Sequence, residues 1–149
     1  MSDSPQEPPW VRAWEDVRCA LTVFSDTVTA VEVTAHVGIA PTAQRIKGEP
    51  RQGRPNMVVA SHKWTWQPAE TVAHSLDAQL DAIWDALGLR ANAFKGLPVD
   101  AEVVVDIWIE HHGDDLRLGW ALDQRHVTRA AAFGASIGVD EYDYTEEED

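Results

Sequence analysis

The chain has 149 residues and carries 25 carboxylates against 12 Lys and Arg, a formal net charge of −13. That length suits one domain that buries roughly 70% of its unfolded surface. A field so negative repels nucleic acid and anionic lipid, and it leaves solubility or a basic protein partner as its use. Cys19 is the only cysteine, so no intramolecular disulfide forms, and its apolar surroundings in sequence make it a core thiol. No apolar run is long enough to span a bilayer, which gives a cytoplasmic reading.

The first 16 residues read as a flexible segment, with Pro5, Pro8 and Pro9 in a polar stretch. Trp10 and Trp14 then stand at helical spacing, as a lid over the domain that spans 17–144. Cys19 to Phe24 is an apolar run of strand type. Thr29 and Glu32 form a capping box ahead of Val33 and Val37. Gly38 supplies a left-handed stop, and Pro41 blocks any continuation of the helix. Arg45 to Asn56, with Gly48, Pro50, Gly53 and Pro55, reads as a long loop.

Val58 to Trp66 is the next strand, with His62, Trp64 and Trp66 on one face and Lys63 and Thr65 on the other. Ser75 caps a helix in which Leu76, Leu80, Ile83, Trp84 and Leu87 form one apolar stripe. Asp77, Asp81 and Asp85 form an acidic ridge beside that stripe, and Gly88 ends the helix. Ala101 to Glu110 alternates strictly. Val103, Val105, Ile107 and Ile109 share one face, and Glu102, Val104, Asp106, Trp108 and Glu110 share the other. His111-His112-Gly113-Asp114-Asp115 reads as a hairpin turn into an antiparallel return strand, Leu116 to Leu122. A helix over Arg125–Phe133 and a strand over Ile137–Tyr142 follow. Residues 145–149 are an acidic tail: seven of the last ten residues are Asp or Glu.

The unit of strand, aspartate, short helix and glycine stop thus occurs twice, ending at Gly38 and at Gly134. The order β-α-β-α-β-β-α-β predicts an α+β fold. The expected form is a ferredoxin-like sandwich with an extra βα unit: a mixed or mostly antiparallel sheet, with its helices on one face and its other face partly open. On that open face Trp66 or Trp64, Trp108, Asp106 and Glu110 are expected to gather, either as a binding face or covered by the N-terminal segment.

Gly38-Ile39-Ala40-Pro41-Thr42, then Lys47-Gly48, Trp64, Gly134 and Val139-Asp140-Glu141-Tyr142 resemble, in order and spacing, the pattern of a bacterial family known as domain of unknown function 4279. The resemblance runs from Cys19 to Tyr144. It implies a small, soluble, single-domain bacterial protein of unassigned activity. Some small bacterial families act as immunity proteins against secreted toxins, which is a fold-level analogy. The stretch with Arg51 and Arg54 is not part of the matched pattern.

No P-loop, G-x-G-x-x-G, H-E-x-x-H or C-x-x-C is present. His111 and His112 with Asp114 and Asp115 are the only cluster of metal-ligand types, and they read as a charged turn. Asp106 and Glu110 share a strand face about 13 Å apart, wider than the carboxylate pairs of glycoside hydrolases. No nucleophile has an evident base, so the reading leans away from an enzyme, with no cofactor and no metal. Two functions follow. The first is a binding module, an immunity-like or antitoxin-like inhibitor of a basic protein, docking through Trp64, Trp66, Trp108, Asp77, Asp81 and Asp85. The second is a small-molecule or phosphate-metabolite protein, using Arg45, Lys47, Arg51 and Arg54 as an anion-binding lid.

Overall fold

A computed structural model describes residues 14–113 and 120–145. In chain order the elements are β1 (Trp14–Ser25), α1 (Ala30–Val37), β2 (Ala43–Arg45), β3 (Pro50–Arg51), β4 (Arg54–Val58), β5 (His62–Trp66), α2 (Leu76–Leu87), a 3-10 turn (Gly88–Arg90), α3 (Ala91–Lys95), β6 (Glu102–Gly113), α4 (Gln124–Ala132) and β7 (Ser136–Thr145). Five strands make one sheet in the order β2-β5-β1-β6-β7, and β3 and β4 form a separate two-stranded hairpin. The pairs β2–β5, β5–β1 and β1–β6 are antiparallel, and β6–β7 is parallel. A parallel pair needs a crossover, and α4 supplies it. The fold is α+β with a mixed sheet.

Alternation decides what the sheet buries. Val17, Cys19, Leu21 and Val23 of β1 and Val103, Val105, Ile107 and Ile109 of β6 turn to one side. There they meet Val33 and Val37 of α1, Leu80, Ile83, Trp84 and Leu87 of α2, Phe94 of α3, and Ala130 and Phe133 of α4. All the helices therefore contribute to a single core on one face of the sheet. The Thr29 hydroxyl accepts the Glu32 amide at the start of α1, and Ser75 does the same for Ala78 at the start of α2. Gly38 (φ +76) and Gly134 (φ +67) take left-handed backbone where α1 and α4 stop.

Because β5 ends at Trp66, β1 loses its partner on that side beyond Leu21. Exposed amides in a core would be costly, and the segment after β5 satisfies them. The Val17 amide donates to the His74 carbonyl at 3.0 Å, and the Cys19 amide donates to Gln79 Oε1 at 3.2 Å. Gln79 is itself buried and fixed, its amide donating to the Ala73 carbonyl at 3.1 Å.

Several expectations are corrected. The return strand is not one: Trp120 to Asp123 are not in a strand, and Leu116 to Gly119 lie outside the described residues. Both edges of β6 are already occupied, by β1 and by β7, so no third strand fits there. His111, His112 and Gly113 continue β6 instead of turning. The repeated unit thus keeps its aspartate, helix and glycine in the second copy but has no strand in its described part. The Arg45–Asn56 loop is folded, because the turn at Gly53 (φ +75) lets β3 and β4 pair. That hairpin takes Val58, so β5 begins only at His62. Gly88 is right-handed, so the chain stays helical through the 3-10 turn into α3. Trp14 begins β1 and belongs to the sheet, whereas Trp10, Met1–Pro9 and Glu146–Asp149 lie outside the described residues.

Candidate functional site

Among the described residues the second face of the sheet carries no helix, and its relief comes from side-chain size. On β1 this face presents Arg18, Ala20, Thr22 and Phe24, so the central strand offers small residues between two large ones. Lys63 and Thr65 of β5 flank them on one side, and Asp106 and Trp108 of β6 on the other. Gly138 of β7 stands opposite Asp106 and adds no side chain to the relief. The result is a groove of about 390 Å³ along β1, whose walls include Lys63, Thr65, Gln67, Pro68, Asp106 and Trp108. In its floor Thr22 is 1% exposed, and its hydroxyl donates to Asp106 Oδ2 at 2.7 Å. Cys19 also borders it, but burial and the nearby Asp106 charge push its thiol up to about 12, so it is no nucleophile near neutral pH.

One end of the groove meets the edge strand β7. Trp108 stacks on Tyr142 with ring centroids 4.7 Å apart, and its indole N–H donates to Glu110 at 3.2 Å. Trp120 lies at the same edge and donates to Glu141 at 2.6 Å. The other end leads toward the β3–β4 hairpin. There Arg45, Arg51 and Lys63 line a second cavity, and the Lys63 ammonium sits 5.3 Å from the centre of the Phe24 ring.

The expected site residues divide. Trp108, Asp106 and Glu110 do share the open face. Trp64 and Trp66 point to the helix side, where Trp64 is wholly buried, donates to the Thr34 hydroxyl at 3.1 Å and meets Phe94 edge-on. Trp66 is half-buried against the same core. The acidic ridge is partly neutralised inside the molecule. Arg125 bonds Asp81 and lies 3.6 Å from Asp77, while Asp85 is exposed without them. The His126 ring, 1% exposed, accepts the Trp84 indole N–H at Nδ1 and so donates from Nε2 to Asp77 at 2.8 Å.

Of the expected lid, Arg45 and Arg51 reach the cavity. Lys47 pairs with Asp26 at 3.7 Å, and Arg54 is exposed on the hairpin. His111 is buried between Glu15 (3.3 Å) and Glu141 (3.5 Å) instead of standing in a turn. No group of three or more His, Cys, Asp or Glu side chains among the described residues is arranged to hold a metal. The groove floor escaped sequence reading because Cys19–Phe24 looks uniformly apolar. The signal was there in the alternation of Ala20 and Thr22 with Cys19, Leu21 and Val23.

The chain matches the family described as domain of unknown function (DUF4279) over residues 15–144. No curated protein and no solved structure matches it. No helix among the described residues is long and apolar enough to cross a membrane.

Proposed function

The chain belongs to the DUF4279 family, and we propose that it is a bacterial, cytoplasmic binding protein whose β7 edge docks a basic protein and blocks it, as an immunity protein or antitoxin does. The reading rests on the Trp108–Tyr142 pair, stacked on the outer strand of the sheet and 43% and 39% exposed. Aromatic faces held in place by each other lose little freedom on docking and are the commonest interface anchors. Glu110 and Asp140, on the same face of the sheet, flank the pair with negative charge. Among the described residues β7 pairs with β6 and is the outermost strand of the five-stranded sheet. Charges on that edge repel a second copy of this chain and favour Lys- or Arg-rich surfaces. The net charge of −13 extends the same preference to long range.

The test is comparative capture from the native host, with wild type, Trp108→Ala, Tyr142→Ala and Leu89→Ala as baits. Leu89, fully exposed on the 3-10 turn, is the control. The expected result is a basic protein held by wild type and Leu89→Ala and lost from Trp108→Ala. With the purified pair, association slows as salt rises, and Trp108→Ala speeds dissociation. An acidic partner, or binding indifferent to salt and to both aromatic substitutions, removes this reading.

A further inference from the structure

We propose a second binding site on the same face: a pocket for a small organic anion, a carboxylate or a phosphate monoester, at the corner where the β3–β4 hairpin meets β5 and β1. The corner is a cavity of about 220 Å³ lined by Arg45, Arg51 and Lys63 together with Phe24, Val58 and Val59. Three features of these cations set them apart from solvated surface charge.

The first is that the three gather in one cavity whose lining holds no carboxylate. Arg18, Lys47 and Arg125 pair with carboxylates elsewhere. The second is register. Arg45 and Lys63 are direct cross-strand partners in the β2–β5 pair. Like charges placed opposite each other destabilise a sheet, and an anion between them turns that repulsion into attraction. The third is fixation. The Phe24 ring holds the Lys63 ammonium at the cavity wall, and the paired backbone of β3 places Arg51.

The lining also defines the ligand. Two guanidinium forks bind a carboxylate or phosphate through paired N–H donors, and the lysine adds a point charge. Phe24, Val58 and Val59 give the rest of the molecule an apolar contact, so an organic anion fits better than a bare ion. Phe24 and Lys63 line the larger groove too, so the body of a longer ligand continues along β1 over Thr22 and Ala20. This site lies across the sheet from β7 and does not depend on the docking reading.

Calorimetric titration of the full chain with phenyl phosphate, benzoate and inorganic phosphate tests the proposal. Saturable, single-site binding of phenyl phosphate or benzoate is expected, with inorganic phosphate weaker. Arg45→Gln and Arg51→Gln each weaken the organic anion by about tenfold, the loss of one charge-assisted fork. Arg54→Gln and Leu89→Ala leave it unchanged. The three arginines are exposed, so unaltered near-ultraviolet circular dichroism shows that the variants fold. The preference between phenyl phosphate and benzoate assigns the anionic group. If neither compound saturates, or if the Arg45→Gln and Arg51→Gln variants bind like wild type, the site is not an anion pocket.

Discussion

Single side chains set both the stability and the chemistry of this molecule. Val105 is 1% exposed, faces the core from the centre of β6 and has cross-strand neighbours on both sides. An aspartate there would be an unpaired charge in an apolar interior. Val105→Asp is expected to cost at least about 3 kcal/mol and to leave the chain largely unfolded in a thermal melt. Melting close to wild type would show that this face is not the core. Asp81, by contrast, is half-exposed. The hydrogen bond from Arg125 holds its carboxyl below the ordinary value, against a smaller opposing effect of desolvation. A lowered folded-state value means that the contribution is complete above the unfolded value of about 3.9 and fades as pH falls through the lowered one. The urea midpoints of wild type and Asp81→Asn should therefore keep a small, constant difference from about pH 7 to pH 5 and converge below about pH 4. A gap that widens on acidification would contradict the pairing.

Elements show how much of the fold local sequence carries. Helices α1 and α2 are legible because a capping hydroxyl and an apolar period agree within each segment, and in α1 a left-handed terminal glycine joins them. Strand β6 is legible because its alternation is strict. The parallel neighbour of β6 is not, because whether β7 or a hairpin partner lies beside it is settled by distant pairing and not by the segment itself. The same reason hides the orientation of Trp64 and Trp66. Both alternate faces of β5 hold large or polar residues, and only the register against β1 tells which side meets the helices. The contact between α2 and α4 was equally invisible, since Asp77, Trp84 and His126 meet only after folding. His126→Ala strands the buried Trp84 N–H and opens a cavity, with an expected loss of about 2–4 kcal/mol in urea unfolding. His126→Gln retains a side-chain acceptor and should recover part of it. Equal losses in the two variants would mean that packing alone matters there.

At the scale of the molecule, the order of elements announces an α+β fold, and composition announces its acidity. Neither reveals that charge is sorted across the open face, with carboxylates and aromatics toward β7 and cations beside β2. That sorting brings together residues far apart in sequence. The tail bears on it directly: Glu146 to Asp149 are a run of like charge that could answer the cations at the corner. Removing these four residues is expected to leave the melting temperature unchanged, because a run of like charge does not pack. A clear drop would identify the tail as the anion that Arg45 and Arg51 hold.

The central position of β1 also governs how the chain is made. Its long partner is β6, joined from Phe24↔Glu102 to Trp14↔His112, so β1, made before the other described strands, waits for one of the last of them. At ordinary translation speeds that interval is roughly 5–20 s. Throughout it, the apolar face from Val17 to Val23 lacks the flanking side chains of β6, from Val103 to Ile109, that complete its core. A topology dominated by such distant pairings folds slowly once synthesis ends. The β1 edge that β6 will occupy is thus complete only late in synthesis, after the helices α1 and α2 that share its core have been made.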